Sequence, residues 1–183
     1  IFGALGHEII EKSTGQKIEI KSGKIFKSEV IGINKSSNGN PGEKNARFYS
    51  DIVYGNIKEN TSSGIFGKYE SEIPNKKTYK IGYPSEIILG TAKIMTVLEE
   101  EKIEEFDIEI LKVNNADSKS KNILFNIIDT RLLDITGGII QGMSGSPILQ
   151  NDKIVGAVTH VIVDDTTKGY GIFITNMLEE AEN

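Results

Sequence analysis

The sequence predicts an all-β domain built as two packed barrel-like halves, and three observations carry that expectation. Apolar and polar residues alternate with a period of two, most plainly in Lys17-Ile18-Glu19-Ile20-Lys21, and that period marks half-buried strands rather than helices. Stretches such as Asn38-Gly39-Asn40-Pro41-Gly42 and Ser62-Ser63-Gly64 carry strong turn signals and cut the chain into short pieces. The 19 glycines suit the corners and bulges of small barrels. With 183 residues and 38% hydrophobic content, the chain is long and apolar enough for one domain with a core.

Taken in order, strand-like runs fall at residues 17–21, 24–33, 77–83, 92–98, 106–113 and 122–128. The boundary between the halves is expected between residues 70 and 90. Asn151-Asp152-Lys153 reads as a hairpin before a strand over 154–159, and a last strand covers 170–175. Helical signal is confined to the end, where Asn176 can cap a short helix over 177–182.

Charge and composition exclude several function classes. Lys and Arg number 21 against 26 Asp and Glu, a net charge of −5, and the positive residues are scattered singly, so a phosphate backbone is not the expected partner. Zero cysteines rule out disulfides, thiol catalysis and thiolate metal sites. Two histidines 153 residues apart offer no metal-ligand set, and no cofactor is expected. No run approaches the roughly 18 apolar residues of a membrane helix, so this stretch reads as soluble. Opening inside the apolar Ile1-Phe2-Gly3-Ala4-Leu5, it reads as a fragment or processed product whose leader or anchor would lie upstream.

The most informative stretch is Gly137-Gly138-Ile139-Ile140-Gln141-Gly142-Met143-Ser144-Gly145-Ser146-Pro147. A glycine two residues before a serine lets the chain fold tightly, so that the N–H groups of Gly142 and Ser144 can point into one small space. That space would be an oxyanion hole beside a nucleophilic Ser144. Gly145 would leave room for substrate, and Pro147 would start the next strand. A bare Gly-x-Ser-Gly also suits an ordinary hairpin with loop serines; the added Ser-Pro, apolar strand and following hairpin favour the nucleophile. This arrangement, down to the closing Gly-Tyr-Gly-Ile-Phe-Ile-Thr and terminal helix, is similar to the second barrel of chymotrypsin-like serine peptidases.

A serine nucleophile needs a base, and His7 and His160 are the only histidines. His7 ends a strand of small residues, as a base on a barrel rim requires. His160 ends a strand that would run along the substrate, which makes Thr159 and His160 candidate substrate contacts; a half-buried strand histidine is the plainer reading. The orienting acid is open among Asp51, Asp107, Asp129 and Asp134. Asp129 is the best placed, closing an apolar strand close to the catalytic turn.

Phe2-Gly3-Ala4-Leu5-Gly6-His7, Pro41-Gly42-Glu43-Lys44, Gly64-Ile65-Phe66-Gly67, Asp129-Thr130-Arg131-Leu132-Leu133, the glycine-serine stretch above and Gly156-Ala157-Val158-Thr159-His160 occur in order along nearly the whole chain. Together they resemble the SpoIVB-type serine peptidase family of spore-forming bacteria. The resemblance implies a chymotrypsin-like double β-barrel and a triad of Ser144 as nucleophile, His7 as base and Asp129 as orienting acid. The acid then lies shortly before the serine, where ordinary chymotrypsin-like enzymes place it between the other two. Family members carry an upstream membrane anchor and a peptide-binding PDZ domain. They act in the space between forespore and mother cell, cleave themselves, and signal to a regulator of a membrane-embedded protease that processes a sigma factor.

Two rival readings accompany this one: a catalytically inert β-barrel that binds or regulates a partner, and a related chymotrypsin-like protease with another protein substrate. The acidic runs Glu99-Glu100-Glu101 and Glu104-Glu105 and the pair Asp164-Asp165 read as solvated turns.

Overall fold

The computed structural model describes residues 1–73, 77–116 and 120–182. The strands are β1 (Phe2–Ala4), β2 (Gly23–Asn34), β3 (Glu43–Thr61), β4 (Gly64–Tyr69), β5 (Lys80–Ile81), β6 (Gly90–Val97), β7 (Ile103–Val113), β8 (Ile123–Ile127), β9 (Pro147–Gln150), β10 (Lys153–Val161) and β11 (Lys168–Phe173). Two helices, α1 (Thr130–Thr136) and α2 (Ile174–Glu182), complete the elements that matter here. The all-β class is as the sequence predicts. Among the described residues no helix is long and apolar enough to cross a membrane.

The C-terminal half closes on itself. Its strands run in the order β11-β8-β7-β6-β9-β10, and β10 pairs again with β11, giving a closed barrel of six strands. Period-two alternation fills its interior: Ile94 of β6, Phe106, Ile108 and Ile110 of β7, and Ile123, Phe125 and Ile127 of β8 are all at most 2% exposed. Burying a side chain of this size contributes about 1.5–3 kcal/mol, so this interior is the main source of rigidity. β5 adds outside the ring, parallel to β10 at Lys153–Ile154.

The N-terminal half does not close. Its four strands lie in the order β1-β4-β3-β2, with β1 and β2 at the edges and β2 bridged to the other half between Val30 and Glu100, where a second barrel was expected. The reason lies in the long β2–β3 hairpin. β3 runs for 19 residues with few buried positions, and Ile31, Phe48, Ile52 and Val53 stay exposed, so there is too little enclosed apolar surface to curl a sheet around. The first sheet ends at Tyr69, and the next strand, Lys80–Ile81, belongs to the other half; residues 74–76, inside the expected boundary region, lie outside the described residues.

Three local expectations change. Residues 17–21 form no strand, only an isolated bridge between Ile10 and Lys17, and the buried Asn60 side chain bonds the backbone of Ile9 and Ile18 instead. A second helix, α1, follows β8: Asp129 caps its start and Gly137, at φ 71°, ends it by donating its N–H to the Leu133 carbonyl. Lastly, α2 starts directly after β11, so Asn176 lies inside the helix rather than at its cap. Met177 of α2 packs on Phe66, Ala157 and Ile172, joining helix, first sheet and barrel.

Candidate active site

Ser144 stands in a turn that β10 of the barrel fixes on its C-terminal side, while on its N-terminal side Gln141 donates to the Gly42 carbonyl and accepts from the Lys44 N–H of the other half. Gly145 donates its N–H to the Val158 carbonyl at 2.8 Å, and Val158 donates to the Ser146 carbonyl at 2.9 Å, so the turn is bound to β10. Within it, Met143 donates to Ile140 and Ser146 to Met143, and the fully buried Met143 side chain plugs into the core. Gly142, at φ 91°, takes a conformation that side chains resist. Among the described residues the N–H groups of Gly142 and Ser144 have no protein acceptor, while those of Met143, Gly145 and Ser146 do. That alternation leaves free the two donors an oxyanion hole needs.

His7 arrives from the other half. After β1 the chain turns through Leu5 and Gly6, both left-handed at φ 69° and 73°, with Gly6 donating to the Ala4 carbonyl. A leucine held in that region is strained, and here the strain lies two residues before the imidazole. The turn delivers His7 Nε2 to 3.1 Å from Ser144 Oγ. A Cβ on Gly145 would stand 2.8 Å from the Leu5 backbone nitrogen, so the space expected for substrate at Gly145 is taken by the chain that carries His7.

The tautomer of His7 follows from its other contact. His7 Nδ1 lies 2.8 Å from the Glu8 carbonyl oxygen, which can only accept, so Nδ1 carries the proton and Nε2 presents a lone pair to Ser144. Ser144 Oγ is also 3.2 Å from the Thr159 carbonyl, a second acceptor for its single proton.

The structure does not bring Asp129 to His7. One of its carboxylate oxygens accepts from the Arg131 N–H and Nε, the other from the Arg131 guanidinium at 2.7 Å and the Asp107 N–H at 3.2 Å. The hydrogen bonds from Arg131 hold its carboxyl below the ordinary aspartate value. Both oxygens are thus occupied in capping α1 and tying it to β7, which is why they are not turned toward the imidazole. Asp51, Asp107 and Asp134 are exposed, and among the described residues no carboxylate is hydrogen-bonded to His7.

His160 lies beside His7, ring centroids 5.3 Å apart and tilted by 44°. Burial first, then the His7 and Lys121 charges, push its pKa down to about 4, so it is neutral at pH 7 and adds no positive charge beside the base. The Thr159 hydroxyl is turned away, donating to the Ser120 and Tyr170 carbonyls. Ser146 is buried, with its hydroxyl on Thr96. Among the described residues no three His, Asp or Glu side chains cluster as a metal site requires.

Sequence reasoning missed the part played by Lys44. Its N–H donates to the Gln141 carbonyl, and a Cβ on Gly142 would meet the Lys44 stem at 3.2 Å. Its Nζ donates to Thr96 Oγ1 at 2.7 Å, which Ser146 Oγ also contacts at 3.1 Å. Burial pushes the Lys44 ammonium down to about 8. A lysine on a strand normally points to water, and the only signal was its place in the Pro41-Gly42-Glu43-Lys44 motif.

No curated protein matches the chain. The family model described as SpoIVB peptidase S55 matches residues 1–178 of the 183, the same span over which the His7–Ser144 site is assembled from both halves. On that match the chain belongs to the SpoIVB peptidase family.

Proposed function

We propose that this chain is a serine endopeptidase in which Ser144 attacks the peptide carbonyl and His7 is the general base. The observation that carries the reading is the pair of contacts at His7: Nε2 at 3.1 Å from Ser144 Oγ, and Nδ1 held by the Glu8 carbonyl in the tautomer that leaves Nε2 able to accept. Ser144 Oγ bonds to the carbonyl carbon and its proton passes to Nε2. The N–H groups of Gly142 and Ser144 hold the resulting oxyanion. The imidazolium returns its proton to the leaving amine, and a water attacks the acyl-enzyme by the same route to release the acid and restore Ser144.

In this reading a backbone carbonyl does the orienting work that a carboxylate does in a Ser-His-Asp triad. A carbonyl dipole stabilises the imidazolium less than a full negative charge, so a slower enzyme is expected. The family resemblance extends the proposal to self-cleavage and to a protein substrate that regulates a membrane-embedded, sigma-factor-processing protease between forespore and mother cell. An upstream anchor and PDZ domain belong to that same extension.

The second acceptor on Ser144, the Thr159 carbonyl, together with the lack of a carboxylate hydrogen-bonded to His7 among the described residues, favours an inert binding barrel as the rival reading. A small fluorophosphonate separates the two. An activated Ser144 is labelled, identified by peptide mapping, and Ser144→Ala is not; a wild-type chain that takes up no label belongs to the rival.

A further inference from the structure

Resting on Ser144 as nucleophile, we infer that the substrate residue on the acyl side of the cleaved bond carries an uncharged aliphatic side chain, as Val, Ile, Leu or Met does, seated in the cavity beside Ser144. The cavity has a volume of about 190 Å³ and is lined by residues 139–141, Ser144 and residues 158–161, with Gln141 and Thr159 as polar members beside Ser144 and His160. A side chain there leads directly from the carbonyl that Ser144 Oγ would attack.

Charge decides the class of side chain. Among the described residues the lining contains no carboxylate and no ammonium. The one titratable group, His160, is kept neutral at pH 7 by its burial and by the nearby His7 and Lys121. An arginine, lysine, aspartate or glutamate would leave water for walls that hold no opposite charge, and buried charge without a charged partner is strongly disfavoured. An aliphatic side chain only exchanges water for hydrocarbon.

Ile139 decides the size. It is 3% exposed, and its Cδ1 occupies the space over Gly169 of β11, where an added Cβ would stand 2.3 Å away. Gly169 thus gives up its side-chain volume to Ile139, and Ile139 fills depth that a ring would need. A dry cavity of about 150 Å³ admits benzene, so volume alone would pass a ring, and the preference for an aliphatic chain over Phe rests on the depth that Ile139 occupies. The lone small-residue position and the large one are therefore a matched pair that shortens the cavity from its far end.

The test uses peptidyl phosphonate esters that differ only in this side chain (Val, Leu, Met, Phe, Lys, Glu), with a small fluorophosphonate lacking it as the reference. The expected result is that Leu, Val or Met esters label Ser144 at least tenfold faster than Lys or Glu esters, in line with pocket discrimination per methylene of about tenfold or more. In Ile139→Ala the Phe ester gains relative to the Leu ester, the two rates being compared within the same variant. Ile139→Val, a milder change, shifts the same ratio in the same direction and serves if the alanine variant misfolds. A preference for Glu would bring Lys121 into the site, and a preference for Lys or for Phe in the unaltered chain, or no preference, likewise overturns the inference. Failure of the reference probe itself overturns the reading of Ser144, and this inference with it.

Discussion

Ser144 sits in a turn bonded on its C-terminal side to β10 of a closed barrel and on its N-terminal side, through Gln141, to Gly42 and Lys44, whereas His7 follows a three-residue strand at the edge of an open sheet. Ser144, the proposed nucleophile, takes its C-terminal support from the buried interior of β6, β7 and β8. His7, the proposed base, is held by β1 pairing with β4, by the strained Leu5–Gly6 turn, and by the contact of Leu5 with Gly145. Lys44 adds a second link, reaching from β3 of the open sheet to Thr96 of the barrel while its stem supports Gly142. What the difference teaches is that activity here depends on how the two halves are docked, and that the barrel can stay intact when the base is lost.

The largest effect comes from breaking the pair itself. Ser144→Ala and His7→Ala should each lower turnover on the order of a millionfold, and the double variant little further, because members of one catalytic unit do not add. Single-turnover cleavage of a peptide ester checks this, with circular dichroism expected to show an unchanged barrel. A residual rate after His7→Ala close to the native one would remove His7 from the mechanism.

Shifting one half against the other is the next largest. In Gly145→Ala the new methyl meets the Leu5 backbone at 2.8 Å and the site is held at φ 84°, so β1 must retreat and carry His7 with it. Misplacement of about 1 Å costs on the order of a hundredfold in rate. Melting should move less than the rate does, since the barrel core is not touched. A crystal structure of the variant with His7 Nε2 still near 3.1 Å from Ser144, at normal activity, would refute the docking argument.

Asp129 sharpens the comparison because it belongs wholly to the barrel half. Asp129→Ala removes the α1 cap and the bond to Asp107, a loss of about 1–2 kcal/mol by the usual worth of a cap. That corresponds to a fall in Tm of roughly 2–8 °C for a domain of this size. Labelling of Ser144, measured per folded molecule, should remain near that of the native chain. The opposite pattern, an unchanged Tm with labelling down about ten-thousandfold, is the signature of a triad acid and would return Asp129 to that role.

The barrel was legible in the sequence because its strands are short, alternate cleanly and are buried on one face; the Ile and Phe runs of β7 and β8 stand within a few residues of their expected places. The open sheet was less legible. Residues 43–61 lack alternation strong enough to announce a strand, and residues 17–21 alternate but have no partner edge. Asp129 and Gly137 are ordinary helix signals for α1, but an aspartate at a strand end fits a triad acid equally well, and the cap is hidden by that ambiguity. At the site, the Gly142–Ser144 turn and His7 are visible as motifs. The Glu8 carbonyl is not, because a backbone acceptor leaves no mark on residue identity.

The smallest effect tests His160, the ring through which the barrel faces the base. Its folded pKa is about 4 against an ordinary 6.5, so between those values the unfolded chain takes up a proton that the folded chain refuses. The stability tied to the neutral ring is complete above pH 6.5 and is lost as pH falls toward 4, with a slope of at most one proton, about 1.4 kcal/mol per pH unit, reduced by whatever part of the ring water reaches. The carboxylates of Asp129 and Asp165 also lose their stabilising contacts on acidification, but their lowered pKa values place most of that loss at the acid end of the window or below it. Subtracting the Tm profile of His160→Gln from that of the native chain between pH 7 and 4 therefore isolates the ring: the native curve should fall more steeply, and the difference should vanish above pH 7. Parallel Tm curves would mean that His160 is solvated and charges freely, and the neutral wall beside the base would have to be abandoned.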